Sequence, residues 1–120
     1  MASLKLINKP WGYEEILYEN GDLVVLRMFI RRGEETSLHM HPNRDEYFII
    51  LRGKGILMYG KRKVPLKEGK MIHIKKGQVH QWKADANEDL EIIEVTTHLL
   101  EDLVRIKDKY GRTDTNETNV

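Results

Sequence analysis

The sequence predicts an all-β fold, a single antiparallel sandwich or barrel. Three observations carry this. Turn-forming clusters recur along the chain, at "ENGD" (19–22), "RRGEE" (31–35), "LRGKG" (51–55), "YGKRK" (59–63), "KEGK" (67–70), "KKGQ" (75–78) and "ADANED" (84–89). The runs between them are short and rich in β-branched, aromatic and other apolar residues. No segment before residue 99 holds an apolar helical period for long. Short strands at a spacing of roughly 8–12 residues, punctuated by glycine, build sandwiches and barrels rather than alternating strand–helix units.

The strands are expected, in order, at "LVVLRMFI" (23–30), "EYFIIL" (46–51), "GILMYG" (55–60), "KVPL" (63–66), "MIHI" (71–74), "VHQW" (79–82) and "LEIIEV" (90–95). "HLLEDLVRIKDKYG" (98–111) fits either a short helix or an extended arm. The polar end "RTDTNETNV" (112–120) is expected to fray, leaving residues 1–112 as the domain, with a barrel core at about 20–97, and 113–120 as a flexible tail. Several strands are apolar at successive positions, as at Val24, Val25 and Leu26 or Phe48, Ile49, Ile50 and Leu51. Such strands are buried on both faces or present an outer face to a partner, so a homodimer is expected.

The bulk properties exclude several functions. At 120 residues there is room for one domain with a real core. Basic and acidic residues nearly balance, 20 against 19, and are interspersed, which is not the basic stripe of a nucleic-acid binder. Without cysteine there is no disulfide framework and no thiolate metal site. The start "MASLKLINKPWG" lacks the apolar stretch of a signal peptide and no run reaches membrane-spanning length, so a cytoplasmic protein is expected.

The chemistry concentrates in "GEETSLHMHPNRDEYFIILRG" (33–53). Residues two apart on a strand share a face, so His39 and His41 project side by side. A turn through "PNRD" brings the carboxylate of Glu46 back toward them, and His80 opens a distant strand. Three imidazoles and one carboxylate suit Mn, Fe, Co, Ni, Cu or Zn rather than Ca or Mg. A histidine pair of this kind is also common on exposed strands, and only the longer pattern separates the readings. From Gly33, five residues lead to His39, one to His41, four to Glu46 and six to Gly53. From Gly69, seven residues precede Gly77, and two more precede His80.

These spacings resemble the two cupin signatures, G(x)5HxH(x)4E(x)6G and G(x)5PxG(x)2H(x)3N. The first is matched throughout. In the second, Lys75 stands for proline and Ala84 for asparagine, both turn-shaping positions. The resemblance implies a single-domain cupin jelly-roll β-barrel with short N- and C-terminal arms, holding one divalent transition metal ion (Zn, Mn, Fe, Ni or Co) on His39, His41, Glu46 and His80. Phe48, Ile50, Met58, Ile72, Trp82 and Ile93 become candidate wall or core residues, some of them facing outward.

"KPWGYEEIL" (9–17) and "EDLVRIKDKYGR" (101–112), with "SLHMHPNRDE" and "IIEV", resemble the cupin domain of type II mannose-6-phosphate isomerases, which is often fused behind a mannose-1-phosphate guanylyltransferase. That family usually reads SLQxHxxRxE. Here His39 replaces the glutamine, Pro42 and Asn43 replace a histidine pair, and Tyr47 replaces another histidine. A guanylyltransferase domain does not fit in this length.

The implied chemistry is aldose–ketose isomerisation of a phosphorylated sugar in carbohydrate metabolism, with a metal polarising the carbonyl and a base moving a proton between adjacent carbons. Glu94 is the candidate base, with Glu46 as an alternative. Arg27, Arg44 and Arg105 are candidates for the phosphate, since guanidinium suits it bidentately. Tyr47 and Trp82 are candidates for substrate contact, core packing being an equal reading for both. Trp11 reads as a packing anchor, and His73 and His98 as structural or exposed. Two other readings remain open. One is a different metal-cupin enzyme, a dioxygenase or an epimerase acting on a nucleotide-linked sugar. The other is a non-catalytic small-molecule binder.

Overall fold

The computed structural model describes residues 5–97 and 103–112. Its described residues form strands and turns, with no helix. The strands are β1 (Lys5–Lys9), β2 (Gly12–Glu19), β3 (Val24–Ile30), β4 (Leu38–Met40), β5 (Glu46–Arg52), β6 (Gly55–Tyr59), β7 (Arg62–Leu66), β8 (Met71–Ile74), β9 (His80–Ala84), β10 (Leu90–Thr96) and β11 (Val104–Lys107). The C-terminal segment is therefore extended over 104–107. His98 and the 113–120 tail lie outside the described residues.

Two antiparallel sheets result, one ordered β1-β2-β3-β10-β5-β8 and the other β11-β4-β9-β6-β7. The N-terminal segment adds β1 and β2 to the larger sheet, and the C-terminal segment adds β11 at the edge of the smaller one. Pro65 lies on β7, an edge strand, where its missing N–H breaks no central ladder.

Alternation sets which side faces the interior. On β3, Val24, Leu26, Met28 and Ile30 are buried while Val25, Arg27 and Phe29 are half-buried on the outside. On β5, Glu46, Phe48 and Ile50 point in, and Tyr47, Ile49 and Leu51 point out. Trp82, fully buried, packs on Phe48 with ring centroids 4.6 Å apart, joining the two sheets across the core. Of the other expected wall residues, Ile50 is buried, Ile72 packs partly buried against the core, and Met58 and Ile93 are half-buried.

Gly53 ends β5 with φ 93°, in the left-handed region that favours glycine, and a Cβ there would lie 2.0 Å from the Asp89 carbonyl oxygen. The first signature's final glycine is thus required by backbone and by space. The outer face of the larger sheet exposes Tyr47, Ile49, Leu51, Met71 and Val95 on the adjoining strands β5, β8 and β10.

Candidate metal centre

Register brings the centre together. His39 on β4 pairs directly with His80 on β9 and with Arg105 on β11, and directly opposed residues share a face. His41 follows just beyond β4. Its carbonyl accepts the Gly77 N–H at 2.9 Å, which ties the turn ahead of His80 to the end of the histidine pair. The three imidazoles are buried, and one ligand atom from each lies within 4.8 Å of the others. From the facing sheet, Glu46 places Oε2 3.5 Å from His41 Nε2 and Oε1 3.8 Å from His80 Nε2.

Two of the rings are set as ligands by their own backbone. His39 Nδ1 lies 2.7 Å from the Ser37 carbonyl oxygen, and His80 Nδ1 lies 2.9 Å from that of Gln78. A carbonyl only accepts, so Nδ1 carries the proton in both and Nε2 keeps the lone pair. Burial, with His80 and His41 adding to it, holds the His39 pKa well below the usual imidazole range. Burial likewise brings His80 down to about 4. Both are neutral near pH 7, the form that binds metal.

The second carboxylate behaves differently. Burial, and next the charge of Glu46, raises Glu94 well above the usual carboxylate range. Glu94 hydrogen-bonds to Glu46, while its Oε2 has no hydrogen-bond partner and stands 4.0 Å from Arg44 Nη1. Two carboxyls this close in a buried site are pushed apart in basicity, with Glu94 on the raised side. Arg44 is itself buried, with Nη1 3.9 Å from Glu46 Oε2 and Nη2 against His41 Nδ1.

These groups line a cavity of about 860 Å³, which Arg105 and Trp82 also line. Trp82 Nε1 is buried with no hydrogen-bond partner. Trp11 is buried in the core and borders the same space. Sequence reasoning missed Glu14, which lines the cavity and whose pKa burial raises. It lies on β2 between Gly12 and Ile16, both buried, and that alternation is the signal that marks it.

Two expected substrate residues are elsewhere. Arg27 faces out from β3, where it bonds Glu15 at 2.9 Å, Glu91 at 2.7 Å and the Tyr13 hydroxyl at 3.1 Å. Tyr47 is 52% exposed and stacks on His73 across β5 and β8, with centroids 4.2 Å apart. Because Leu26 and Glu46 point inward, the residues that follow them must point outward. His73 is exposed and lies 3.4 Å from Asp45.

A divalent ion fits this donor set. Nε2 of His39, Nε2 of His80 and a nitrogen of His41 form a buried group that could hold a transition metal, and the Glu46 carboxylate stands beside them.

Comparison with known proteins agrees with the geometry. Xanthan biosynthesis protein XanB of Xanthomonas campestris is 31% identical over 110 residues, covering 89% of this chain and 24% of that protein. Mannose-1-phosphate guanylyltransferase of Klebsiella pneumoniae is 29% identical over 109 residues, covering 88% of this chain and 23% of its own length. The chain thus spans about a quarter of the length of these relatives. Among solved structures, the capsular polysaccharide assembling protein CapF of Staphylococcus aureus superposes with a TM-score of 0.79 at 15% identity, covering 89% of this chain and 33% of that one, a likeness of fold. The Cupin domain family model matches residues 26–96, the segment that carries both histidine motifs and the paired carboxylates, and the chain belongs to the cupin domain family.

Proposed function

We propose that the protein is a metal-dependent sugar-phosphate isomerase, interconverting an aldose phosphate of the mannose type with its ketose. The observation that carries this reading is the meeting, in one cavity, of three buried histidines able to hold an ion with two carboxylates, Glu46 and Glu94, the second with a raised pKa. A bound divalent ion supplies Lewis acidity for the carbonyl and its neighbouring hydroxyl. Glu94 in its ionised form takes the proton from the carbon beside the carbonyl and returns it to the former carbonyl carbon, and burial together with the charge of Glu46 raises its basicity for that step. Arg44 and Arg105 meet the phosphate. Phe48 and Trp82 keep the floor of the cavity dry. The relatives named for mannose-1-phosphate guanylyltransferase and for xanthan biosynthesis support a phosphorylated or nucleotide-linked sugar as the ligand class.

The test is turnover by purified protein loaded in turn with Zn, Mn, Fe, Ni and Co, on a panel of hexose and pentose phosphates. Interconversion that chelation abolishes and ion addition restores is expected. No turnover on any member of the panel refutes the proposal. The apolar outer face of the larger sheet supports a second copy as its partner, which light scattering checks as twice the monomer mass.

A further inference from the structure

Arg44 stands in the turn between His41 and β5, and its side chain enters the centre rather than the solvent. Its Nη2 donates to His41 Nδ1 and also lies 3.3 Å from His41 Nε2, so both ring nitrogens face the guanidinium. Its Nη1 reaches 3.9 Å from Glu46 Oε2 and 4.0 Å from Glu94 Oε2. His39 and His80 differ from His41 in this respect. Their Nδ1–H groups are spent on carbonyls, leaving Nε2 for a ligand, whereas the lone pair of His41 Nδ1 is taken by Arg44. A buried cation therefore bonds His41 and stands within ion-pair distance of Glu46, two of the donors proposed for the ion.

We infer that Arg44 is a built-in competitor of the divalent ion: its guanidinium holds His41 and Glu46 in the ion-free protein, and ion loading releases it to take an anionic group in the cavity. The inference rests on the metal-site reading above and adds a coupling to it. Guanidinium keeps its charge at any accessible pH, so only displacement, not deprotonation, ends the competition. Two cations this close in a buried site repel strongly, and the released guanidinium is the group best shaped for a tetrahedral dianion. By linkage, an anion that captures Arg44 must tighten ion binding by the same factor by which the ion tightens anion binding.

The test measures Zn affinity by competition with a chromophoric chelator, with and without sulfate, in the wild type and in Arg44→Gln. Arg27→Gln, on the outer face, serves as the control. Arg44→Gln is expected to bind Zn at least about tenfold more tightly, since one unit of like charge has gone from the site. Sulfate is expected to tighten Zn in the wild type and in Arg27→Gln, and to lose that effect in Arg44→Gln. Zn binding that is equal or weaker in Arg44→Gln overturns the inference, and so does sulfate coupling that persists there, which would mean the anion ligates the metal directly. The wild-type sulfate measurement needs no variant, so absent coupling overturns the inference even if Arg44→Gln fails to fold. Zn binding by the wild type without these differences refutes the competition alone, whereas no Zn binding by any form refutes the metal site with it.

Discussion

Acid titration of the ion-free protein gives a quantitative check on the centre. The unfolded chain binds a proton at His80 near the ordinary value of 6.5, but the folded protein resists it down to about 4. Between these values the unfolded state holds more protons, so stability falls as pH drops, and the loss levels off below about 4. At pH 5 the His80 contribution is about 2 kcal/mol relative to neutral pH, from one proton over the interval between pH 5 and 6.5. His39, shifted down for the same reason, adds in the same direction. Glu94 acts oppositely, because the folded state holds its proton above the usual carboxylate range and gains relative stability as pH falls. The assay is urea denaturation in a chelator between pH 7.5 and 4.5, for the wild type, His80→Asn and Glu94→Gln. His80→Asn should be less sensitive to acid by about 2 kcal/mol at pH 5, whatever its stability at pH 7. Glu94→Gln should be more sensitive than the wild type. Equal pH dependence in the wild type and His80→Asn would refute the account of a buried, neutral ring.

The other predictions concern ligands and packing. His41→Ala should lower bound metal sharply while His73→Ala, exposed on β8, should not, as read by elemental analysis after dialysis. Trp82→Ala, at a fully buried site spanning the two sheets, should cost about 3–5 kcal/mol by chemical denaturation. Gly53→Ala forces a Cβ onto the Asp89 carbonyl at positive φ and should cost about 2 kcal/mol or more, read as a lowered melting temperature.

The fold class was readable because every expected strand is a short apolar run closed by a turn that the structure retains. The His39 and His41 pair was readable because spacing along a strand is local. His80 joined it only through the resemblance to the second cupin signature, and the framing glycines are fixed by backbone geometry, as at Gly53. The side of the sheet was harder to read. Where both parities of a strand are apolar, as on β3 and β5, the pattern does not say which face is inside, so Arg27, chosen because guanidinium suits phosphate, could not be placed outside from the sequence. Tyr47 was decidable, since a Glu46 that points in leaves its neighbour pointing out. The approach of Arg44 to Glu94, and the burial and Glu46 charge that raise the Glu94 pKa, depend on strands joined only in three dimensions. No local pattern encodes them.

The ladder between β4 and β9 has one registered pair, and that pair is His39 with His80. Beyond the strands proper the seam continues on both sides, through the Gly77 N–H to the His41 carbonyl and the Thr36 N–H to the Trp82 carbonyl, with the imidazoles projecting at its middle. Any guest gripped by both rings also clasps two strands that are remote in sequence, so its binding stabilises the wall between them. Amide exchange along 38–40 and 80–82 should slow when the guest is bound.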